Sequence, residues 1–547
     1  MRPVRRGVLW VAAMSAAATV LVSCGSDGTK QAQAPPAATR IERLRLAGGD
    51  FGYPSPFGYA RGPGQIQAGY MFDTLLWEDS TGRPIPWLAN EWNHSADGLE
   101  WRFTVREGVR WHDGQPLTMD DVAFSFEYIT TGAAAAASTA PRLELDGLRV
   151  EGNVLVLRLK QPNAVFEESI AERVFIIPKH VWADVADPAK FRDPKAFIGS
   201  GAYRMDSFDD VAGAYAYNAN DDFFLGPPRV KRLEFVPSND ELLSLKRGDI
   251  HAAEILEEPV PPEQLKDFEQ DARFGKIEGT GDWNLALHFN LAKGFPYDSK
   301  LFRQAVAYAV DRKDMVHRLL FDRGVPTPTG GLSPDHEMIA RGLPTYDRDV
   351  AKAKAMLDEI GLKDTNGDGF RELADGRRFT QELQASTRFS PKSADLVKEY
   401  LRDVGIDVEV KILDRPTADD NATNGNYTMA LVGYGGLGSD ADALRTRFSS
   451  QVRTRTFSRA QGYVNRTFDD LANRQLVALD AASRTSIVQQ MQQIVADELP
   501  ILPLYTPNRT MFYVKAVSDT WYYTPGCSAC RGTRNRHLFV TGKTTGV

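Results

Sequence analysis

Three cysteines in 547 residues leave no room for a disulfide framework. They are Cys24, Cys527 and Cys530, the last two spaced as Cys-Ser-Ala-Cys. A zinc site there would need two further ligands, and only His537 is near. Redox Cys-x-x-Cys pairs open a helix after a strand, whereas this pair sits in a Pro- and Gly-rich tail. Histidine is also sparse, with eight scattered along the chain. Basic runs are missing, and the formal net charge is −7, which disfavours nucleic acid as a partner. No Gly-x-Ser-x-Gly elbow, His-Glu-x-x-His or Gly-x-x-x-x-Gly-Lys occurs. His336-Glu337 comes close, but Ala340 stands where the second histidine would be. Carboxylates are plentiful, yet nothing in their spacing puts two across one bond. An enzyme is therefore not expected, nor a cofactor. Beyond the first residues no apolar run is long enough to span a membrane, which takes roughly 20 residues.

The amino terminus is the exception to that polarity. Arg2, Arg5 and Arg6 precede an apolar run from Val8 to Val22, interrupted by Ser15 and Thr19. A positive start, a short apolar core and small residues before a cut site read as a secretory signal over 1–23. Leu21-Val22-Ser23-Cys24 resembles a bacterial lipobox, which would make Cys24 the lipidated first residue of the mature chain. The other reading is an ordinary signal with an incidental cysteine. Residues 24–40 hold too few apolar groups to pack and should form a tether. With Cys24 lipidated, an even pair remains, and an exported chain then points to a Cys527–Cys530 disulfide.

The body, 42% hydrophobic and 25% charged, has ordinary globular composition, and its length predicts two or three domains. Strands and helices alternate, as in α/β layers. Leu99, Trp101, Phe103 and Val105 alternate with polar residues, the period of a half-buried strand, and Asp113-Gly114 makes a turn. Thr118 and Asp121 form a capping signal before the apolar run Val122 to Ile129. One long helix is predicted from Asp298 to Asp322, with Phe302, Val306 and Ala309 on one stripe. Further helices are predicted at 350–360, ending at Gly361, and around Leu396, Tyr400 and Val404, ending at Gly405. A strand over Ile406 to Ile412 follows, and a helix striped by Ile487, Met491 and Val495 ends before Pro500. Leu285–Leu291 and Ile501–Leu504 could both be crossings between two lobes.

Many short segments carry a resemblance in a fixed order. They begin with Phe72-Asp73-Thr74-Leu75, Ile85-Pro86-Trp87-Leu88-Ala89 and Glu91-Trp92. Asp97-Gly98, Arg106-Glu107-Gly108-Val109, Trp111-His112-Asp113-Gly114 and Asp120-Asp121-Val122 follow. Gly199-Ser200-Gly201-Ala202-Tyr203, Phe289-Asn290, Arg303-Gln304-Ala305 and Asp311-Arg312 complete the series. From about Gly69 onward the chain resembles the family 5 solute-binding proteins, the oligopeptide- and dipeptide-binding group of ABC importers. That resemblance implies an α/β, two-lobed type II periplasmic-binding-protein fold whose lobes close on a ligand by hinge motion. By analogy, lobe I is 41–283 plus 500–547, with an extra subdomain near 91–198, and lobe II is 284–499. The implied partners are a small solute such as a peptide and permease subunits, with the lipid as membrane anchor and the protein a monomer. A sensor or chaperone without a permease, or a binder of a sugar or metal chelate, is the alternative.

Three places are candidates for the ligand pocket. The first is the loop Phe51 to Phe57, where Tyr53 and Phe57 could meet a ligand or pack beneath the loop. The second is Tyr434-Gly435-Gly436 after a strand at 428–432, where small residues would let a ligand backbone approach closely. The third is Arg388, placed where dipeptide-binding relatives hold a carboxylate-gripping arginine, or else a plain surface arginine. One departure bears on specificity. Peptide-binding relatives commonly have Trp-x-x-Asp here, the Asp pairing with the peptide amine, and this chain has Leu437 at the acidic position. Asp440 and Asp442 lie downstream and could substitute or cap the next helix. Asp364, Asn366 and Asp368 fit the start of a calcium loop with Asp375 at the twelfth position, or a polar turn before a strand.

Overall fold

Local signals account for most of the elements in the computed structural model. It describes residues 40–49, 51–59, 62–134, 143–255, 260–281, 283–387, 391–435, 440–452, 462–523 and 536–546. The helix Met119–Thr130 starts with a complete capping box: Thr118 Oγ1 accepts from Asp121 N at 3.3 Å, and Thr118 N donates to Asp121 Oδ2 at 2.8 Å. Period two over Glu100–Val105 buries Trp101, Phe103 and Val105. This strand is internal to a four-stranded sheet with Ala89–His94, Val154–Leu159 and Leu145–Glu151.

The stretch predicted as one helix over 298–322 is two helices, Lys300–Ala309 and Arg312–Leu320. Val310 is extended, and Asp311 caps the second helix by accepting from Asp314 N at 2.9 Å. A carboxylate placed to satisfy a free N–H competes with continuing the first helix, and here it wins. Phe302, Val306 and Ala309 share the buried stripe as expected. The helix Val350–Glu359 matches its predicted span, and Pro391–Asp403 and Ala481–Glu498 carry the predicted stripes and stop before Gly405 and Pro500.

Two further sheets organise the rest. One runs Leu44–Ala47, Arg232–Val236, Ala214–Ala219, Tyr203–Asp209. The other has eight strands, in the order Ala252–Ile255, Ile501–Val514, Asn284–Phe289, Met429–Tyr434, Thr380–Ser386, Asp407–Leu413, with Phe274–Thr280 and Gly324–Pro326 also on Ile501–Val514. Thr380–Ser386 is parallel to both its neighbours, and the helices Pro391–Asp403 and Arg415–Asn424 make the crossovers.

Ile501–Val514 joins two distinct cores. Its first residues pair with Asn284–Phe289, and Ile501, Leu502, Leu504 and Tyr505 pack among residues of 285–499. Its last residues pair with Ala252–Ile255 and Phe274–Thr280, where Met511 and Phe512 pack among residues of 44–274.

Candidate functional site

The strand Met429–Tyr434 ends in a cavity of about 190 Å³ lined by Trp283, Ser386, Arg415, Leu431, Tyr434 and Gly435, among others. Sheet order explains the place: Met429–Tyr434 lies between Asn284–Phe289 and Thr380–Ser386, so the three strands present their ends together. Gly433 permits the wall to form, because a Cβ there would lie 2.4 Å from Trp283 Cζ2. Gly435 is exposed, leaving its backbone accessible to a bound group.

Behind this wall sits a polar cluster. The guanidinium of Arg447, from the helix Ala443–Phe448, lies 4.0 Å from the Tyr434 ring centroid, and its Nη2 donates to Gly435 O at 3.1 Å. Asn284 is directly opposite Tyr434 in register. The His288 ring is 6.2 Å from that of Tyr434. All four residues are buried. Burial lowers the pKa of Arg447 and raises that of the Tyr434 hydroxyl, which Arg447 partly offsets. Burial, with the nearby Arg447 charge second, takes His288 down to about 3, so its ring is neutral.

The residues singled out in sequence fall in several places. Tyr434 and Gly435 line the cavity. Tyr53 and Phe57 do not; both are buried in the core of residues 44–252. Phe57 packs on Tyr128 and Trp182, and Tyr53 on Phe197 and Phe208 with the Arg192 guanidinium 4.5 Å from its ring. Packing beneath the loop uses these rings. Asp440 is engaged by Arg484, whose Nη2 is 3.0 Å from both its carboxylate oxygens, and it accepts from Asp442 N at 2.6 Å. Asp442 in turn holds Arg445 and Gln475. Cys24, Arg388, Gly436, Leu437, Cys527 and Cys530 lie outside the described residues. Trp283 and Arg447 were not singled out; nothing in a tryptophan before a strand or an arginine in a short helix marks them.

In the calcium-loop candidate, carboxylate oxygens of Asp364, Asp368 and Glu372 lie within 4.8 Å of one another. Asp375 is not in that group and pairs with Arg377. Glu372 accepts from Thr365 and Asn366, and Asp368 pairs with Arg378 at 2.7 Å. His112 and His180 are structural: His112 Nε2 is 2.9 Å from Gly201 O, and His180 Nε2 is 2.8 Å from Asp113 Oδ2. Burial takes His112 down to about 4.

A second contact lies between distant parts of the chain. Ala164 N donates to Leu476 O at 2.7 Å, and Gly98 meets the Leu479 side chain. Beside them, Glu168 is pushed up to about 8, by burial first and the Asp440 charge second.

Comparison with known proteins now adds its weight. The family described as bacterial extracellular solute-binding proteins, family 5 middle, matches residues 83–455. The oligopeptide-binding protein AppA of Bacillus subtilis (strain 168) is 26% identical over 446 residues, 78% of each chain. A probable di/tripeptide-binding protein of Pseudomonas aeruginosa (strain UCBPP-PA14) is 26% identical over 453 residues, covering 78% of this chain and 82% of that one. The solved structure of Bacillus subtilis AppA with a nonapeptide superimposes with a TM-score of 0.73 at 22% identity, over 91% of this chain and 99% of that one. The fold is thus the two-lobed periplasmic-binding-protein fold expected from the sequence. Among the described residues no helix is long and apolar enough to cross a membrane. The chain belongs to the family 5 bacterial extracellular solute-binding proteins.

Proposed function

We propose that this protein is the extracytoplasmic receptor of an ABC importer, that it captures a small peptide-like solute by lobe closure, and that it passes the solute to a permease. The cavity at the end of Met429–Tyr434 carries this reading: an aromatic and a bare glycine beside small and polar groups, at the place where three strands end together. Core membership supports lobes of 41–283 with 500–547, and of 284–499, hinged at the strands that pair with Ile501–Val514. The extra subdomain over 91–198 supplies Ala164 and Glu168, which meet the 440–484 region. In this reading Cys24 carries the lipid anchor, Cys527 pairs with Cys530, and the protein acts as a monomer without catalysis.

Native mass spectrometry of the untagged mature protein, purified from its own host, tests the central claim. A non-covalent mass released on denaturation is expected, with a fragmentation pattern showing amide bonds. Protein that is always bare, and that gives no heat with a peptide library in calorimetry, would sink it.

A further inference from the structure

Five arginines are buried among the described residues: Arg303, Arg312, Arg371, Arg447 and Arg484. Four are saturated. Arg303 donates to Glu498 O, Leu499 O and Tyr297 O, and Arg312 to Thr327 O, Pro503 O and Thr345 O. Arg371 reaches Val404 O, Leu362 O and the Asp358 carboxylate. Arg484 holds Asp440 and Gln475. Arg447 differs. It is 5% exposed, has no acidic partner among the described residues, and donates only through Nη2 to Gly435 O. Its Nε and Nη1 have no hydrogen-bond partner.

The orphaned donors do not stand alone. The Tyr434 hydroxyl and the Asn284 amide are likewise buried; they lie near enough to act on each other, and neither has any other hydrogen-bond partner. Asn284 and Tyr434 face each other across adjacent strands, and the Arg447 guanidinium covers the Tyr434 ring. Buried polar groups are nearly always satisfied, and an unpaired buried charge is the costliest exception. Several such groups meeting at one strand end point to a missing polar occupant. Both residues that Arg447 touches, Tyr434 and Gly435, are walls of the cavity. The guanidinium is therefore one residue's thickness behind the cavity, with a charge that only an anion neutralises. His288, neutral and on the same face, adds no competing charge.

We propose that Arg447 receives a carboxylate of the bound solute at this strand end, with the Tyr434 hydroxyl and the Asn284 amide completing its hydrogen bonds. The solute is thus an acid, and its acidic end lies deepest, against lobe II. This deepens the proposed function and rests on it for the peptide-like character of the solute. Guanidinium suits the role because it stays charged when desolvated and offers donors on several sides of a plane.

The test uses the full mature protein, refolded from denaturant to strip any solute, as wild type and as Arg447→Met and Arg447→Lys. The probes are N-acetyl-tetraalanine with a free carboxylate and the same peptide as its C-terminal amide. Calorimetry on the wild type should show the acid binding at least about tenfold tighter than the amide, the scale of a charge-assisted contact. Arg447→Met should lose that preference, and Arg447→Lys should keep part of it. Equal binding of acid and amide by the wild type, or an undiminished preference in Arg447→Met, overturns the proposal. Thermal melting of the stripped proteins supplies the independent arm. Removing an uncompensated buried charge should leave Arg447→Met as stable as the wild type or more so. A midpoint lower by about 5 °C or more would show that the guanidinium is structural and would overturn the proposal by itself. If neither probe binds, the peptide-like reading fails, and the melting comparison decides Arg447 alone.

Discussion

Glu168 and Asp440, 272 positions apart in sequence, lie close enough that the Asp440 charge, after burial, raises the pKa of Glu168. Raised to about 8, Glu168 keeps its proton at neutral pH. Arg484 and Glu78 also act on Glu168; beside it Glu172 is nearly fully buried and raised as well, by burial first and then by Glu78 and Glu168, with Arg173 opposing. The group is an acid whose folded-state pKa, about 8, exceeds its ordinary value. Its contribution is fully present below the ordinary glutamate range and is lost as pH rises through 8. Wild type should therefore lose about 2 kcal/mol between pH 5 and 9 that Glu168→Gln does not lose, after allowance for screening. Urea unfolding at several pH values checks this; parallel pH curves for the two proteins would refute it.

Gly433→Ala should damage the cavity wall. The new methyl meets the Trp283 ring, which must move or strain the strand. Overpacking of this kind costs about 1–3 kcal/mol. Denaturant unfolding should show that loss, and solute affinity should fall with it. Unchanged stability together with unchanged affinity would mean that Trp283 has room to swing aside.

Cys24→Ala should separate the protein from the membrane. One acyl chain anchors only marginally, so a stable anchor needs the several chains of a bacterial lipoprotein. The wild type is expected in the detergent phase of a two-phase extraction, and the variant uncleaved or unlipidated. A wild type found wholly in the aqueous phase would end the lipoprotein reading.

If Leu437 takes the place where peptide-binding relatives hold an acid, it bears on the other end of the ligand. A free peptide amine buried against leucine is desolvated without a partner, a cost of several kcal/mol. Asp440 is held by Arg484, so it does not readily take that role. Ordinary di- to pentapeptides should bind weakly, amino-blocked ones better, and Leu437→Asp should improve the unblocked ones. Arg388→Ala should weaken the native solute if Arg388 also grips an acidic group. Calorimetry against paired blocked and free peptides decides it, and submicromolar binding of free peptides by the wild type would contradict it.

Sequence alone determined what neighbours in the chain can determine. The Thr118–Asp121 box, the alternation ending at Val105 and the turn at Gly405 each depend on a few residues, and the backbone follows them. The ordered segments from Phe72 to Arg312 sufficed for the family because many weak local matches add. The break at Asp311 was missed because apolar periodicity runs through it while the capping carboxylate acts on one N–H. Tertiary structure alone decided which side chains are spent and which are left over. Phe57 is used by Trp182 and Asp440 by Arg484, while Arg447 and Tyr434 meet each other but find no acid among the described residues. Partners 44 or 125 positions away come together only when strands and helices pack, and a charge left unpaired by that packing has no local signature.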